Sequence, residues 1–239
     1  VDAGYDLAWV EGYVHGAQQL GTIPLELYWN GVREDNFTVA TQSGRDLAKA
    51  HGYTFVRIEG YLYPTQQVGT VPLQLYWSEA RLDHLVTATA KGRQRAETAG
   101  YRYVRVEGYL YPNAIALRAA NGQYVCAEGG GGREVVANRP VIRGWETFAV
   151  VYLGDNRIAL RADNGQYVCA EGGGGREVVA NCSEIHEWAI FTMIPVNGSM
   201  IGLRTHNGQY LCAEGGGGRE VVANRPAIRE WETFEIVSV

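Results

Sequence analysis

Apolar and polar positions in residues 114–239 alternate in short runs that never settle into a helical period. Ala116-Leu117-Arg118 and Gln123-Tyr124-Val125-Cys126 flank Asn121-Gly122, a strong two-residue hairpin signal. Four glycines follow (Gly129 to Gly132), then the β-branched pair Val135-Val136, then a run from Phe148 through Val150 and Val151. The same pattern returns from Asn164 and again from Asn207. Cys126, Cys169 and Cys212 mark a constant step of 43, kept by Trp145, Trp188, Trp231 and by Phe148, Phe191, Phe234. No single unit buries its own apolar face, so three units of four short strands predict a closed threefold object.

Twelve strands in three hairpin-bearing units, with no helix of two or more turns within residues 115–239, fit a β-trefoil. The three tryptophans are expected in its core. Residues 1–113 read as a separate β-rich domain with another period. Glu11-Gly12-Tyr13, Glu59-Gly60-Tyr61 and Glu107-Gly108-Tyr109 stand 48 apart, and Pro24-Leu25 with Tyr28-Trp29 matches Pro72-Leu73 with Tyr76-Trp77 at the same step. Each unit reads as strand, strand, short helix, strand. The helices are expected over Arg45–His51 and Arg93–Ala99, closed by Gly52 and Gly100. A leading strand, Leu7–Val14, is expected to complete the sheet. The chain therefore reads as mainly β: a repeat domain over 1–113 and a trefoil over 114–239.

Composition narrows the function. The chain has 239 residues, 46% of them hydrophobic, and a formal charge of −5, so neither a basic footprint for nucleic acid nor a bilayer-spanning run is expected. Four cysteines could make two disulfides, but three are equivalent by repetition and cannot pair symmetrically. Buried free thiols are therefore expected at Cys126, Cys169 and Cys212, with Cys182 the odd member. The five histidines are scattered, and no metal or cofactor site is expected. The glycine run lacks a phosphate loop's Lys-Ser/Thr ending, and no Gly-x-Ser-x-Gly is present. Most carboxylates recur in every copy, whereas a catalytic pair is normally unique, so the chain reads as a non-enzyme.

Candidate binding groups are copied with the repeat. Arg133-Glu134, Arg176-Glu177 and Arg219-Glu220 lie beyond each glycine loop, opposite Glu128, Glu171 and Glu214. They read either as ion pairs across a hairpin base, worth under ~1 kcal/mol if exposed, or as a shallow polar cup for a sugar. Asn138 and Asn224 join either set. In the second unit Cys182 replaces Arg139 and Arg225, and Ala189 replaces Glu146 and Glu232, so its site is expected to bind worst. In the first domain Tyr28, Asp35, Asn36, Tyr76, Asp83 and His84 combine ring faces with carboxylate and amide groups, as a pyranose pocket needs. The competing reading places the tyrosines in the core and the Asp-Asn pair in a turn.

The string Leu-Arg-x-x-Asn-Gly-x-Tyr-Val-Cys-Ala-Glu-Gly-Gly-Gly-Gly-Arg-Glu-Val-Val-Ala-Asn-Arg, with Trp-Glu-Thr-Phe after it, resembles the fascin-like β-trefoil domain. The first domain resembles a repeat of secreted microbial proteins: Pro-Leu-x-x-Tyr-Trp, then Asp-His/Asn-Phe, then Gly-Tyr-x-x-Pro. These resemblances imply a secreted, multivalent, lectin-like protein whose partners are glycans. The alternatives are a fascin-type protein-interaction module, binding actin or an adhesion partner, and the accessory binding region of a glycoside hydrolase. A removed signal peptide would account for a chain that begins at Val1. The pattern carries no information on oligomeric state.

Overall fold

The computed structural model describes residues 10–239, which separate into two compact units divided between Asn113 and Ala114. The first holds β1 (Ile23–Asn30), β2 (Asp35–Val39), α1 (Gln42–Ala50), β3 (Thr54–Leu62), β4 (Val71–Ser78), β5 (Asp83–Thr87), α2 (Ala90–Thr98) and β6 (Arg102–Leu110). Two antiparallel sheets result, ordered β2-β1-β3 and β5-β4-β6. Both helices begin three residues earlier than expected, because Thr41 and Thr89 act as N-caps, accepting from the Gly44 and Gly92 amides at 3.1 and 3.0 Å. Tyr28, Phe37, Val39, Ala48, Tyr53 and Leu75 form one buried cluster.

The expected leading strand is corrected. Leu7–Trp9 lie outside the described residues, and Val10–Val14 form no strand. Tyr13 instead bridges Tyr111, and His15 bridges Tyr61, while Tyr63 bridges Tyr109. Three Gly-Tyr-containing segments, 48 residues apart, thus pair head to tail in a ring. Each bridge makes two backbone hydrogen bonds of 2.7–3.1 Å. The segments come this close because a Cβ on Gly12, Gly60 or Gly108 would stand 2.4, 2.4 or 2.1 Å from Leu110, Val14 or Leu62. His15, Tyr63 and Tyr111 meet edge-on inside the ring, with centroids 5.4–6.2 Å apart.

The second unit contains β7 (Ala114–Arg118), β8 (Tyr124–Ala127), β9 (Val135–Arg139), β10 (Phe148–Gly154), β11 (Arg157–Arg161), β12 (Tyr167–Ala170), β13 (Val178–Cys182), β14 (Phe191–Asn197), β15 (Met200–Arg204), β16 (Tyr210–Ala213), β17 (Val221–Arg225) and β18 (Phe234–Ser238). Pairing runs β7-β10-β11-β14-β15-β18 and back to β7, a closed six-stranded barrel. The hairpins β8-β9, β12-β13 and β16-β17 cap it, which makes a β-trefoil. Three-residue 3₁₀ turns are its only helical pieces. Phe148, Phe191 and Phe234 are fully buried in the barrel. The cap closes cyclically through Gly132, Gly175 and Gly218, whose amides donate to Ala180, Ala223 and Ala137 at 2.7, 2.6 and 2.7 Å.

Candidate functional site

The glycine loops are shaped by contacts between units. Asn164 sits against Gly131, where a Cβ would lie 2.2 Å from its Oδ1, and its amide donates to Gly130 O at 2.9 Å. Asn207 and Asn121 meet Gly174 and Gly217 in the same way. With φ between +124° and +132°, these glycines are required by the fold itself.

Trp145, Trp188 and Trp231 are not core residues: they are 43%, 36% and 42% exposed. The phenylalanine three positions later already fills the barrel, so each indole lies outside, over its own glycine loop. A Cβ on Gly130 would stand 3.1 Å from Trp145 Nε1, and one on Gly173 or Gly216 would stand 3.3 Å from Trp188 or Trp231 Cδ1. Polar groups flank the ring. Arg139 reaches Glu128 at 2.5 Å and Glu146 at 3.7 Å, and Arg225 reaches Glu214 at 2.6 Å and Glu232 at 3.7 Å. Around Trp231, Arg225 and Glu232, with Pro226, Arg229 and Glu230, line an open cleft of about 460 Å³.

This corrects the expected pairing of Glu128 and Glu214 across the loop with Arg133 and Arg219. The partners are Arg139 and Arg225, which also donate to Asn138 and Asn224. Arg133, Arg176 and Arg219 project outward, as do the side chains of Glu134, Glu177 and Glu220. The main chain of those three glutamates instead forms the bridges that knit the cap. In the second unit Cys182 stands where Arg139 and Arg225 stand, so Glu171 has no arginine at the matching position.

The second unit solves its interior differently. Burial, then hydrogen bonding to Glu146, pushes the Cys126 thiol up to about 12; Cys212 is raised in the same way by burial and Glu232. Both are free and buried. With Ala189 where those glutamates stand, Cys169 instead forms a disulfide with Cys182, 13 residues away. The expectation of three equivalent reduced thiols is therefore wrong at Cys169. Threefold symmetry is broken by the one unit whose arginine and glutamate are both replaced. The His186 ring lies within 4.8 Å of both sulfurs, but the disulfide leaves no thiolate to bind a metal.

In the first domain Tyr28 and Tyr76 are buried, 3% and 2% exposed, and their hydroxyls donate to Glu26 and Gln74. They offer no ring face. Asp35 and Asp83 do come together as neighbours, and they accept from the hydroxyls of Tyr53 and Tyr101 respectively. Burial, then the neighbouring Asp83, raises the Asp35 carboxyl to about 6, against the lowering effect of Tyr53. His84 stacks on Phe37 at 3.8 Å, and burial lowers it to about 4. Asn36 and Arg33, with Arg81, complete an open cleft of about 740 Å³.

Among the described residues no helix is long and apolar enough to cross a membrane. Residues 1–111 match a family described as a domain of unknown function (DUF5648). No curated protein matches the chain. Among solved structures, the designed threefold-symmetric protein ThreeFoil is 17% identical with a TM-score of 0.49, over 53% of this chain and 99% of its own. A GlcNAcα1-4Gal-releasing endo-β-galactosidase from Clostridium perfringens is 16% identical with a TM-score of 0.46, over 58% of this chain and 36% of its own.

Proposed function

We propose that residues 114–239 form a secreted, non-catalytic carbohydrate-binding module with three weak sites. One observation carries this reading: each unit presents a tryptophan ring to solvent at a glycine loop, and in two of the three an arginine and two glutamates stand beside it. An indole face stacks on the apolar side of a pyranose, while guanidinium and carboxylate take its hydroxyls. Open clefts bury little of a ligand, so each site holds it at millimolar to micromolar strength, roughly −4 to −8 kcal/mol, and avidity comes from several sites together. Arg133, Glu134 and their counterparts form the outer rim. The Leu-Arg to Trp-Glu-Thr-Phe string supports a fascin-like assignment, and the recurrence of most carboxylates from unit to unit supports a non-enzyme.

A glycan array followed by affinity-column retention tests this. Trp145→Ala and Trp231→Ala should each reduce retention more than Trp188→Ala, because the second unit lacks the Arg–Glu set. Retention unchanged in the triple Trp→Ala variant would overturn the proposal. Co-sedimentation with actin in the absence of glycan binding would favour the fascin-type alternative instead. A second reading rests on the Asp35–Asp83 pair: its cleft offers carboxyls and amides to a sugar in the first domain. Loss of retention in Asp83→Asn, with the tryptophans intact, would move the site there.

A further inference from the structure

We infer that the second unit of the trefoil carries an anion-recognising subsite, a cleft over β11, β14 and β15 that takes the carboxylate or sulfate group of an acidic sugar held at Trp188. This deepens, and rests on, the reading of the exposed tryptophans as sugar platforms. Three equivalent rows of residues cross the outside of the barrel, each formed where three antiparallel strands pair side by side. The first row is Ala114, Ala149 and Arg161. The second is Arg157, Thr192 and Arg204. The third is Met200, Glu235 and Arg118. Directly opposed residues point to the same face of a sheet. Phe191 and Met193, on either side of Thr192, are buried, so the second row faces outward.

Of the three, only the second row carries two arginines, one on each side of a small hydroxyl side chain. Their Cα atoms are two strand spacings apart, roughly 10 Å, which leaves room for one oxyanion above Thr192 between two guanidinium forks. The third row is neutralised from within: Arg118 Nη1 lies 3.2 Å from Glu235 Oε2, and its Nε donates to Gly122 O at 3.3 Å. Among the described residues no carboxylate stands within ion-pair distance of Arg204, the match of Arg118. Arg157 meets Asp155 at 3.5 Å, but that turn carboxylate is 91% exposed and screened by water. The three residues of the row line, with Glu187, Ile190 and His206, an open cleft of about 400 Å³.

The cleft adjoins the indole through His206. A Cβ on Gly173 would lie 3.3 Å from Trp188 Cδ1 and 3.8 Å from His206 Cβ. In the first unit the matching residue is Asp163, whose Oδ2 would be 3.5 Å from a Cβ on Gly130; in the third it is Ala120, 3.7 Å from one on Gly216. The group beside the ring is thus acidic, imidazole and apolar in turn. Glu187, 3.6 Å from His206, sets one negative charge against the two arginines. A sugar carboxylate or sulfate is repelled by Asp163 beside Trp145 and attracted by Arg157 and Arg204 in the cleft next to Trp188. The second unit lost the Arg–Glu set that flanks the other two indoles, and it gains an arginine pair that neither of the other rows has.

The test follows the arginine Nε–H and tryptophan Nε1–H NMR resonances of the whole chain during titration with glucuronate, a glucose sulfate, glucose and inorganic sulfate. Glucuronate or the glucose sulfate should shift Arg157, Arg204 and Trp188 together, and bind there at least about tenfold more tightly than glucose. The tighter of the two identifies the natural group as carboxylate or sulfate. Thr192→Glu, which rebuilds the neutralised third row, and Arg204→Gln should each abolish the guanidinium response. Arg161→Gln, the same change in the first row, should leave it intact. Equal shifts with inorganic sulfate, which would mean an adventitious ion only, no preference for the charged sugars over glucose, or an equal loss in Arg161→Gln would each overturn the inference. A response of Trp145 and Trp231 to glucose, with Arg157 and Arg204 indifferent to both charged sugars, would sink the anionic subsite and leave the sugar platforms standing. Guanidinium shifts with no indole responding to any sugar would instead sink the platforms, and the sugar part of this inference with them.

Discussion

The two domains arrange three similar segments about an axis, yet they complete the pattern by different means. In the trefoil all three units are present, and the odd one is accommodated by exchanging its interior chemistry. An arginine between two glutamates becomes a cysteine bonded to a cysteine. In the first domain, among the described residues, Glu107 is buried and caps the start of α1, whereas Glu59, its match at the 48-residue step, is partly exposed and pairs with Arg57. A changed copy is thus accommodated in the trefoil by a covalent substitute at a buried site, while in the first domain the copies differ in how far a shared glutamate is buried. A buried polar group left without its partner costs far more than an exposed one.

Removing the glutamates should give the largest contrast. Glu107→Ala leaves two buried amides and Arg105 without an acceptor and should cost about 2–4 kcal/mol, measured by urea unfolding. Glu59→Ala should cost under about 0.5 kcal/mol. Equal losses would erase the difference between the buried and the exposed glutamate.

Next in size is the disulfide. Cys182→Ser should lower trefoil stability by about 2–3 kcal/mol under oxidising conditions. Reductant should lower the Tm of the parent chain and leave that of the variant unmoved. A parent chain indifferent to reductant would remove the covalent half of the comparison.

A transplant sharpens it further. Glu146→Ala strands the partly buried Arg139 and the Arg143 amide, at a cost of about 1–2 kcal/mol. Adding Arg139→Cys recreates the arrangement of the second unit, and stability should recover once Cys126 and the new cysteine are oxidised. Non-reducing mass spectrometry reports the bond, and calorimetry the recovery.

The smallest effect lies in pH. Asp35 titrates higher in the folded chain than in the unfolded one, so its contribution is present below about 4 and is lost as pH rises through about 6. His84 titrates lower in the folded chain, so its contribution is present above 6.5 and is lost as pH falls toward about 4. The two oppose each other over the same window, and the parent's Tm should be nearly flat there. Asp35→Asn should leave a Tm that climbs with pH between about 4 and 6.5, and His84→Asn one that declines. Like slopes in both variants would refute this account.

The sequence by itself determined the units and their elements. Turn chemistry at Asn121-Gly122, helix ends at Gly52 and Gly100, and a barrel phenylalanine every 43 residues are local or periodic signals that need no tertiary information. Only the tertiary structure decided which copies touch. Trp145 is a surface residue because Phe148 already fills the barrel, a competition for volume that composition does not reveal. Arg133 looked like the partner of Glu128 because it is close in sequence, but β8 and β9 pair in a register that brings Arg139 across instead. Cys169 looked equivalent to Cys126 and Cys212. The second unit's loss of both Arg and Glu, legible at Cys182 and Ala189, was the signal that its environment differs. Distances between segments far apart in sequence depend on how the ring and barrel close, and closure is a property of all the copies at once.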